Sequence, residues 1–208
     1  MLGIAFLGGC GPAPESLREL TRAADTLAAA DSGLVSLEVA GLSPDWIIGD
    51  MDSLDDPGRL EKYPPEKVLR YPTDKNFTDT ELAITLLREK GCDEIWLLGG
   101  GGGRTDHLLA IYSLFEREDP PDRWFTASEE IRCLKEGREL GVALPPGSRV
   151  SVLPLGPGPW EAASSGLKWP LNGLSWEKGG LGLSNTATDG PIELHSQKGR
   201  FLVMWERK

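Results

Sequence analysis

The chain has 208 residues, enough for one large or two small domains with a hydrophobic core. A net charge of -10 and a pI near 4.8 argue against nucleic acid or an anionic membrane surface as partners. The three cysteines have no CxxC spacing, which argues against a disulfide framework or a zinc site. No apolar run reaches the roughly 20 residues of a membrane span. We therefore expect a cytoplasmic protein.

Over residues 1 to 127, short apolar runs alternate with helical patterns. Five runs predict strands: GIAFLGG, TLAAAD, WIIGD, KVLRYP and EIWLLGG. Pro14 suits the start of one helix, and Thr78 and Glu81 have capping-box spacing at the start of another, which Gly91 ends. The segment RTDHLLAIYSLFERE predicts a further amphipathic helix. This alternation predicts an α/β domain with a mostly parallel sheet.

Residues 128 to 208 lose the helical period. The segment GSRVSVLPL alternates between apolar and polar residues, and IELHSQKGRFLVMW indicates two strands around a Lys-Gly turn. Frequent glycines and prolines separate these runs. Short strands at such spacing predict a second domain, an antiparallel β-sandwich.

Aspartates follow the predicted parallel strands of the first domain. They are Asp31, the pair Asp50 and Asp52, the pair Asp74 and Asp79, and Asp106. Ligands bind at the carboxyl ends of strands in open α/β sheets, so we expect one acidic crevice there. Clustered carboxylates repel one another unless a cation joins them, and hard oxygens suit magnesium bound to a phosphate-bearing substrate. In isolation, an Asp-x-Asp pair is more typical of a solvated turn.

Glycine loops also follow strands in this half. The sequence GGGGGR ends at Arg104 and leads into a helix, and FLGGCGPAPE near the start has the same order. Glycines allow a close approach of the backbone to a ligand, and an arginine can bridge two phosphate oxygens. Alone, a glycine run is more typical of a flexible connector. Together with the acids, the loops indicate a phosphate site.

The ordered motifs ADSG, GDMDS, DKNFTDTELAI, GGGGGRTDH, GLKWPL and GLSN resemble the thiamine pyrophosphokinase family over nearly the whole chain. This resemblance implies transfer of a pyrophosphoryl group from ATP to the hydroxyl of thiamine, giving thiamine diphosphate and AMP. It also implies an α/β domain over residues 1–127, a thiamine-binding β-sandwich over residues 128–208, and a homodimer with active sites between subunits.

The resemblance also implies site residues. The Mg²⁺ ligands implied are Asp50, Asp52, Asp74 and Asn76, where Asn76 stands in the place of an aspartate. The nucleotide-binding residues implied are Asp31, Ser32, Gly102, Gly103 and Arg104, where Ser32 stands in the place of a glycine. The catalytic residues implied are Asp79, Arg104 and Asp106, and the thiamine-binding residues implied are Trp169, Ser184 and Asn185.

Two questions stay open at the level of sequence. Either Asp79 or Asp106 accepts the proton of the thiamine hydroxyl, and Trp169 either contacts the flat thiamine cation or packs in the β-domain. Met51, between the two acids of GDMDS, is expected to point away and pack. Alternative functions are an Mg-dependent diphosphokinase for another small alcohol, such as a pterin, and a non-catalytic sensor of nucleotide or thiamine.

Overall fold

A computed structural model describes residues 1–177, 180 and 182–207. The chain divides into two compact units. The first comprises Met1–Leu114 and Arg123–Ala127, and the second comprises Phe115–Asp122 and Ser128–Lys208. The second unit therefore takes in residues 115–122, which lie within the first domain as predicted from the sequence. Within the described residues, no helix is long and apolar enough to cross a membrane.

The N-terminal unit is an α/β sheet with helices between its strands. Its strands are β1 (Leu2–Phe6), β2 (Thr26–Ala30), β3 (Trp46–Gly49), β4 (Val68–Arg70), β5 (Glu94–Leu98) and β6 (Arg123–Phe125). Its helices are α1 (Pro14–Leu20), α2 (Gly33–Val39), α3 (Asp79–Glu89) and α4 (Thr105–Leu114), and two 3₁₀ helices, Pro57–Lys62 and Pro65–Lys67, precede β4.

The six strands of this unit are all parallel and lie in the order β6-β5-β1-β2-β3-β4. After β1 the chain builds the sheet outward in one direction through β4, and β5 then returns to the other side of β1. The order of the strands thus reverses between β1 and β5, which is the place where such sheets form a ligand crevice. The predicted parallel sheet is confirmed.

Local signals in the sequence define helix α3. The Thr78 hydroxyl accepts a hydrogen bond from the Glu81 backbone N–H, and the Glu81 carboxylate accepts one from the Thr78 N–H, so the predicted capping box is present. At the other end, Gly91 has φ of +87° directly after the cap residue Lys90. Because the helix start is fixed at Thr78, the next residue, Asp79, has a fixed position at the N-terminus of α3.

The C-terminal unit contains two antiparallel groups of strands. Its strands are β7 (Glu129–Leu134), β8 (Glu139–Val142), β9 (Arg149–Leu155), β10 (Glu161–Ser165), β11 (Gly182–Thr186), β12 (Ile192–Lys198) and β13 (Arg200–Glu206). Strands β11, β9, β13 and β7 pair in that order, and β10, β12 and β8 form the second group. Residues from both groups share one apolar core, including Val152, Leu194 and Phe201. The predicted β-sandwich is confirmed.

The Lys-Gly turn of the C-terminal unit lies between strands of different sheets. Gly199, with φ of +75°, separates β12 from β13. These two strands do not form a hairpin, because β12 pairs with β10 and β8 whereas β13 pairs with β7 and β9. The turn therefore carries the chain from one layer of the sandwich to the other.

Candidate active site

A cavity of about 590 Å³ in the N-terminal unit lies at the carboxyl ends of the parallel strands. Its lining brings together residues that are distant in the sequence. Among the predicted site residues it contains Asp31, Ser32, Asp50, Asp52, Asp79, Gly102, Gly103 and Arg104. The strand topology explains this convergence, since β1, β2, β3 and β5 all end at the same edge of the sheet.

Three aspartates form a tight cluster in this cavity. One carboxylate oxygen each from Asp31, Asp50 and Asp79 lies within 4.8 Å of the other two. Asp31 follows β2, Asp50 follows β3, and Asp79 begins α3. Gly49 makes the approach possible: a Cβ built there would lie 3.0 Å from Asp79 Oδ1 and 3.2 Å from Asp31 Cβ. A larger residue at this position would separate the acids.

Asp31 is the most buried member of the cluster. Asp31 is only 7% exposed, and its Oδ1 has no hydrogen-bond partner among the described residues. Burial raises the pKa of Asp31, and the charges of Asp52 and Asp50 raise it further, against hydrogen bonding from Ser53. The backbone of Asp31 has φ of +48°, a conformation that aspartate and asparagine adopt more readily than most residues. A buried carboxylate oxygen without a partner calls for a cation.

Lys75 is paired with the other two acids of the cluster. Its ammonium lies 2.9 Å from Asp50 Oδ2 and 3.2 Å from Asp79 Oδ1. The hydrogen bond from Lys75 lowers the pKa of Asp50 against the effect of burial, whereas burial raises the pKa of Asp79 in spite of Lys75. For Lys75 itself, burial opposes the charge, but the hydrogen bonds to both acids outweigh it and raise the pKa. Lys75 is not among the site residues that the sequence motifs indicate.

The donor set fits a magnesium ion. All three clustered groups are carboxylates, the hard oxygen ligands that Mg²⁺ prefers. Asp52 lines the same cavity, and its backbone N–H donates to Asp50 Oδ1 at 3.3 Å. Asp74 and Asn76 are exposed and do not contribute to the cavity lining. Met51 is 6% exposed and packs in a core cluster with Ile47 and Leu54, so the prediction that it points away and packs is confirmed.

Two glycine loops, residues 8–11 after β1 and residues 99–103 after β5, lie side by side. The Gly100 N–H donates to the Gly8 carbonyl at 2.9 Å, and Cys10 and Gly101 exchange two backbone hydrogen bonds of 2.6 and 3.0 Å. At Gly99, with φ of +106°, a Cβ would lie 2.4 Å from the Leu7 carbonyl oxygen. Glycine is therefore required where the loops approach each other this closely.

Arg104 and Asp106 form a two-point ion pair at the start of α4. The Arg104 Nε and a terminal nitrogen donate to the two carboxylate oxygens of Asp106 at 3.1 and 2.5 Å. Asp106 also accepts from the His107 backbone N–H at 3.0 Å. The hydrogen bond from Arg104 lowers the pKa of Asp106 to about 2. Both side chains are exposed, so the guanidinium is oriented but remains accessible to a ligand.

The predicted thiamine residues lie in the C-terminal unit. The Trp169 side chain is 54% exposed, and the Lys168 ammonium lies 4.6 Å from a ring centroid of that tryptophan. Asn185 is buried, and its amide holds the backbone of Trp169: Oδ1 accepts from the Trp169 N–H at 3.1 Å and Nδ2 donates to its carbonyl at 2.6 Å. Ser184 is exposed and has φ of +59°.

Solved structures share the fold over the entire chain. Thiamine pyrophosphokinase from Bacillus subtilis is 24% identical and superposes with a TM-score of 0.78, covering 100% of this chain and 99% of that one. The enzyme from Geobacillus thermodenitrificans is also 24% identical, with a TM-score of 0.79 and coverage of 100% and 98%. Thiamin pyrophosphokinase from Candida albicans is 18% identical, with a TM-score of 0.75 and coverage of 100% and 89%.

The acidic, glycine-lined cavity suits phosphate transfer, and the match to a catalytic-domain family model places the protein in the kinase class, the transferases of phosphate groups. Two family models match the chain: the catalytic domain of thiamin pyrophosphokinase over residues 17–121, and its vitamin B1 binding domain over residues 131–201. The thiamine pyrophosphokinase of Bacillus subtilis is 30% identical in a match that covers 68% of each chain. The chain therefore belongs to the thiamin pyrophosphokinase family, and the resemblance in its sequence is confirmed.

Proposed function

We propose that this enzyme is a thiamine diphosphokinase that performs its chemistry at the cavity of the N-terminal unit. The thiamine hydroxyl oxygen attacks the β-phosphorus of ATP, and a new oxygen–phosphorus bond forms. The bond from the β-phosphorus to the oxygen bridging it to the α-phosphorus breaks, and AMP leaves. The observation that carries this proposal is the cluster of Asp31, Asp50 and Asp79, in one cavity with two glycine loops.

In this proposal Asp31, Asp50 and Asp79 hold magnesium, and Asp52 lies at the same cavity to bind it directly or through water. The unpartnered Asp31 Oδ1 supports this assignment. When bound, Mg²⁺ neutralises phosphate charge and polarises the transferred group. The same donor set accounts for the clustered acids, which would otherwise repel one another. The roles of Asp74 and Asn76 as metal ligands stay predictions.

The phosphates of ATP are proposed to lie against the glycine loops, where Gly102 and Gly103 line the cavity and Ser32 lies beside Asp31. Backbone N–H groups there and the guanidinium of Arg104 would stabilise charge on the transferred group. Asp106 is a poor proton acceptor because its pKa is about 2 and both of its oxygens bind Arg104. We assign Asp106 to orienting Arg104. Asp79, whose pKa is raised by burial, is then the candidate to accept or direct the hydroxyl proton, through the carboxylate oxygen that does not hold the metal.

For the thiamine side, we propose that the exposed face of Trp169 stacks on the thiamine cation and that Ser184 donates or accepts a hydrogen bond. Asn185 would act through Trp169, because its amide is already bonded to the backbone of that residue. We also propose a homodimer with active sites between subunits. Trp169 is more than half exposed, so its ring is available to a ligand or to a partner subunit.

Product analysis tests the reaction. We expect incubation of the enzyme with ATP, Mg²⁺ and thiamine to give thiamine diphosphate and AMP in equal amounts. Release of ADP would indicate a simple kinase, turnover only with another alcohol such as a pterin would change the substrate, and binding without turnover would indicate a sensor. Asp50→Asn should abolish turnover, whereas Asp55→Asn, an exposed acid in the same loop region, should not.

A further inference from the structure

We propose that Lys75 is a built-in counterion of the acid cluster, which a metal ion must displace from Asp50 and Asp79 in order to bind. The inference rests on the proposed function only in taking the cluster as the metal site. Its consequence is that the free enzyme binds a free divalent cation weakly. Strong binding then requires a phosphate-bearing nucleotide, which gives the displaced ammonium a new partner.

The geometry places Lys75 among the metal ligands. Its ammonium contacts Asp50 Oδ2 at 2.9 Å and Asp79 Oδ1 at 3.2 Å, and its side chain is only 12% exposed. Lys75 lies four residues before Asp79 but outside α3, which starts at Asp79 itself. The pair is therefore not the usual side-by-side contact on a helix surface. Instead, the loop before α3 turns its one lysine inward while the neighbouring Asp74 and Asn76 are exposed.

The formal charges of the three aspartates and Lys75 explain how Lys75 would affect metal binding. Three carboxylates and one ammonium leave a formal charge of -2 on the cluster (-3 from Asp31, Asp50 and Asp79, and +1 from Lys75). One divalent cation neutralises that charge. The ammonium forms ion pairs with Asp50 and Asp79, but among the described residues Asp31 Oδ1 and Asp79 Oδ1 are both buried without a hydrogen-bond partner. A metal ion entering alone must break both contacts of Lys75 and leave a buried ammonium beside it, which opposes binding.

A nucleotide changes this balance. The cavity beside the cluster is lined by the glycines and Arg104 that suit phosphate. Phosphate oxygens there would receive the ammonium that the metal displaces, as a charge-assisted contact. Metal and nucleotide would then bind with positive coupling, and each would tighten the binding of the other by the same factor. Lys75 is a positioning residue in this account, because it acts through the metal site.

The test is a Mn²⁺ titration followed by electron paramagnetic resonance and calorimetry, without nucleotide or thiamine. Lys75→Met and Lys75→Gln should bind Mn²⁺ about tenfold or more tightly than wild type, as expected when a charge-assisted contact no longer competes. Lys75→Arg should stay weak. Lys62→Met, which removes an exposed lysine with the same change of net charge, should match wild type. With a non-hydrolysable ATP analogue, wild type should gain more Mn²⁺ affinity than Lys75→Met.

The possible results separate the two proposals. Equal or weaker Mn²⁺ binding by folded Lys75→Met and Lys75→Gln would overturn the role of Lys75 while leaving the metal site intact. An absence of Mn²⁺ binding in every variant, with and without the nucleotide analogue, would overturn both. Thermal melts of each variant without metal identify any protein that has not folded. If one of the two neutral variants, Lys75→Met or Lys75→Gln, does not fold, the other can still be compared with wild type.

Discussion

Replacing Asp31 with asparagine is expected to make the metal-free protein more stable while it abolishes activity. Asp31 is buried, close to two other carboxylates, and its Oδ1 has no partner among the described residues. Asparagine has the same shape, tolerates the φ of +48°, and keeps an oxygen to accept from Ser53. The substitution therefore removes one charge and little else.

The size of the effect follows from the spacing. Two like charges at 4.8 Å, the upper limit of the spacing within the cluster, repel by about 3.5 kcal/mol at an effective dielectric constant of about 20. Lys75 and solvent offset most of this repulsion, so we expect the free energy of unfolding to rise by about 1 kcal/mol. In a protein of this size, that change corresponds to about 2–4 °C in Tm.

The dependence on pH has a definite sign. Burial raises the pKa of Asp31 in the folded state above its ordinary value of 3.8. The penalty for the ionised carboxylate is therefore present at neutral pH and disappears as the pH falls through the raised pKa, because the wild-type group is then protonated. The advantage of Asp31→Asn should accordingly shrink between neutral pH and about pH 4.

Thermal unfolding in EDTA measures the stability of the metal-free protein, and thermal unfolding in excess Mg²⁺ measures the stabilisation by the metal. Asp55→Asn, which changes an exposed acid, is the matched control. We expect a higher Tm for Asp31→Asn in EDTA, a smaller rise on adding Mg²⁺ than in wild type, and loss of thiamine diphosphate production. A lower Tm in EDTA, or an undiminished response to Mg²⁺, would refute the view that Asp31 is a strained metal ligand.

Three further substitutions test other parts of the site. Arg104→Lys should lower kcat/KM about tenfold or more without changing Tm, because an exposed lysine cannot reproduce the two-point contact; unchanged kcat/KM would contradict its role. Asp106→Asn should lower kcat/KM but leave the acid limb of the pH–rate profile in place, since a group with a pKa of about 2 does not titrate there; a shifted limb would make Asp106 the proton acceptor. Asn185→Ala should raise the KM for thiamine and lower the free energy of unfolding by about 1–3 kcal/mol, because the backbone groups of Trp169 lose their partners; an unchanged KM would separate Trp169 from thiamine binding.

Much of the fold can be predicted from the sequence because local signals in the sequence determine where helices begin and end. The capping box at Thr78 and the glycine at position 91 bound α3 as predicted. Helix α2 (Gly33–Val39) has no such signal, since the Ser32 side chain makes no capping hydrogen bond. Its position depends on a contact with β1, where a Cβ at Gly33 would lie 2.1 Å from the Phe6 carbonyl oxygen. The hydrophobic periodicity of the sequence cannot predict such a contact between distant residues.

In the site, too, some features follow from local sequence signals and others depend on tertiary contacts. The ends of parallel strands predict where the acids gather, and Asp31, Asp50 and Asp79 do lie together. The sequence does not show which side chains of the loop before α3 turn inward. There the structure directs Lys75 to the acids, whereas Asp74 and Asn76 are exposed. Loop direction is set by tertiary packing, so the sequence gives no sign that Lys75, which stands between two predicted ligands, contacts the acids.

The two glycine loops have a consequence for how this enzyme can distinguish its substrates. The Gly8–Gly100 and Cys10–Gly101 hydrogen bonds are made entirely by main-chain atoms, and residues 99 to 103 are glycine throughout. Residues 99 to 103 therefore present peptide groups, and no side chain, to a ligand. The side chains that distinguish one nucleotide or acceptor alcohol from another must therefore lie around the border of this loop, at positions such as Arg104.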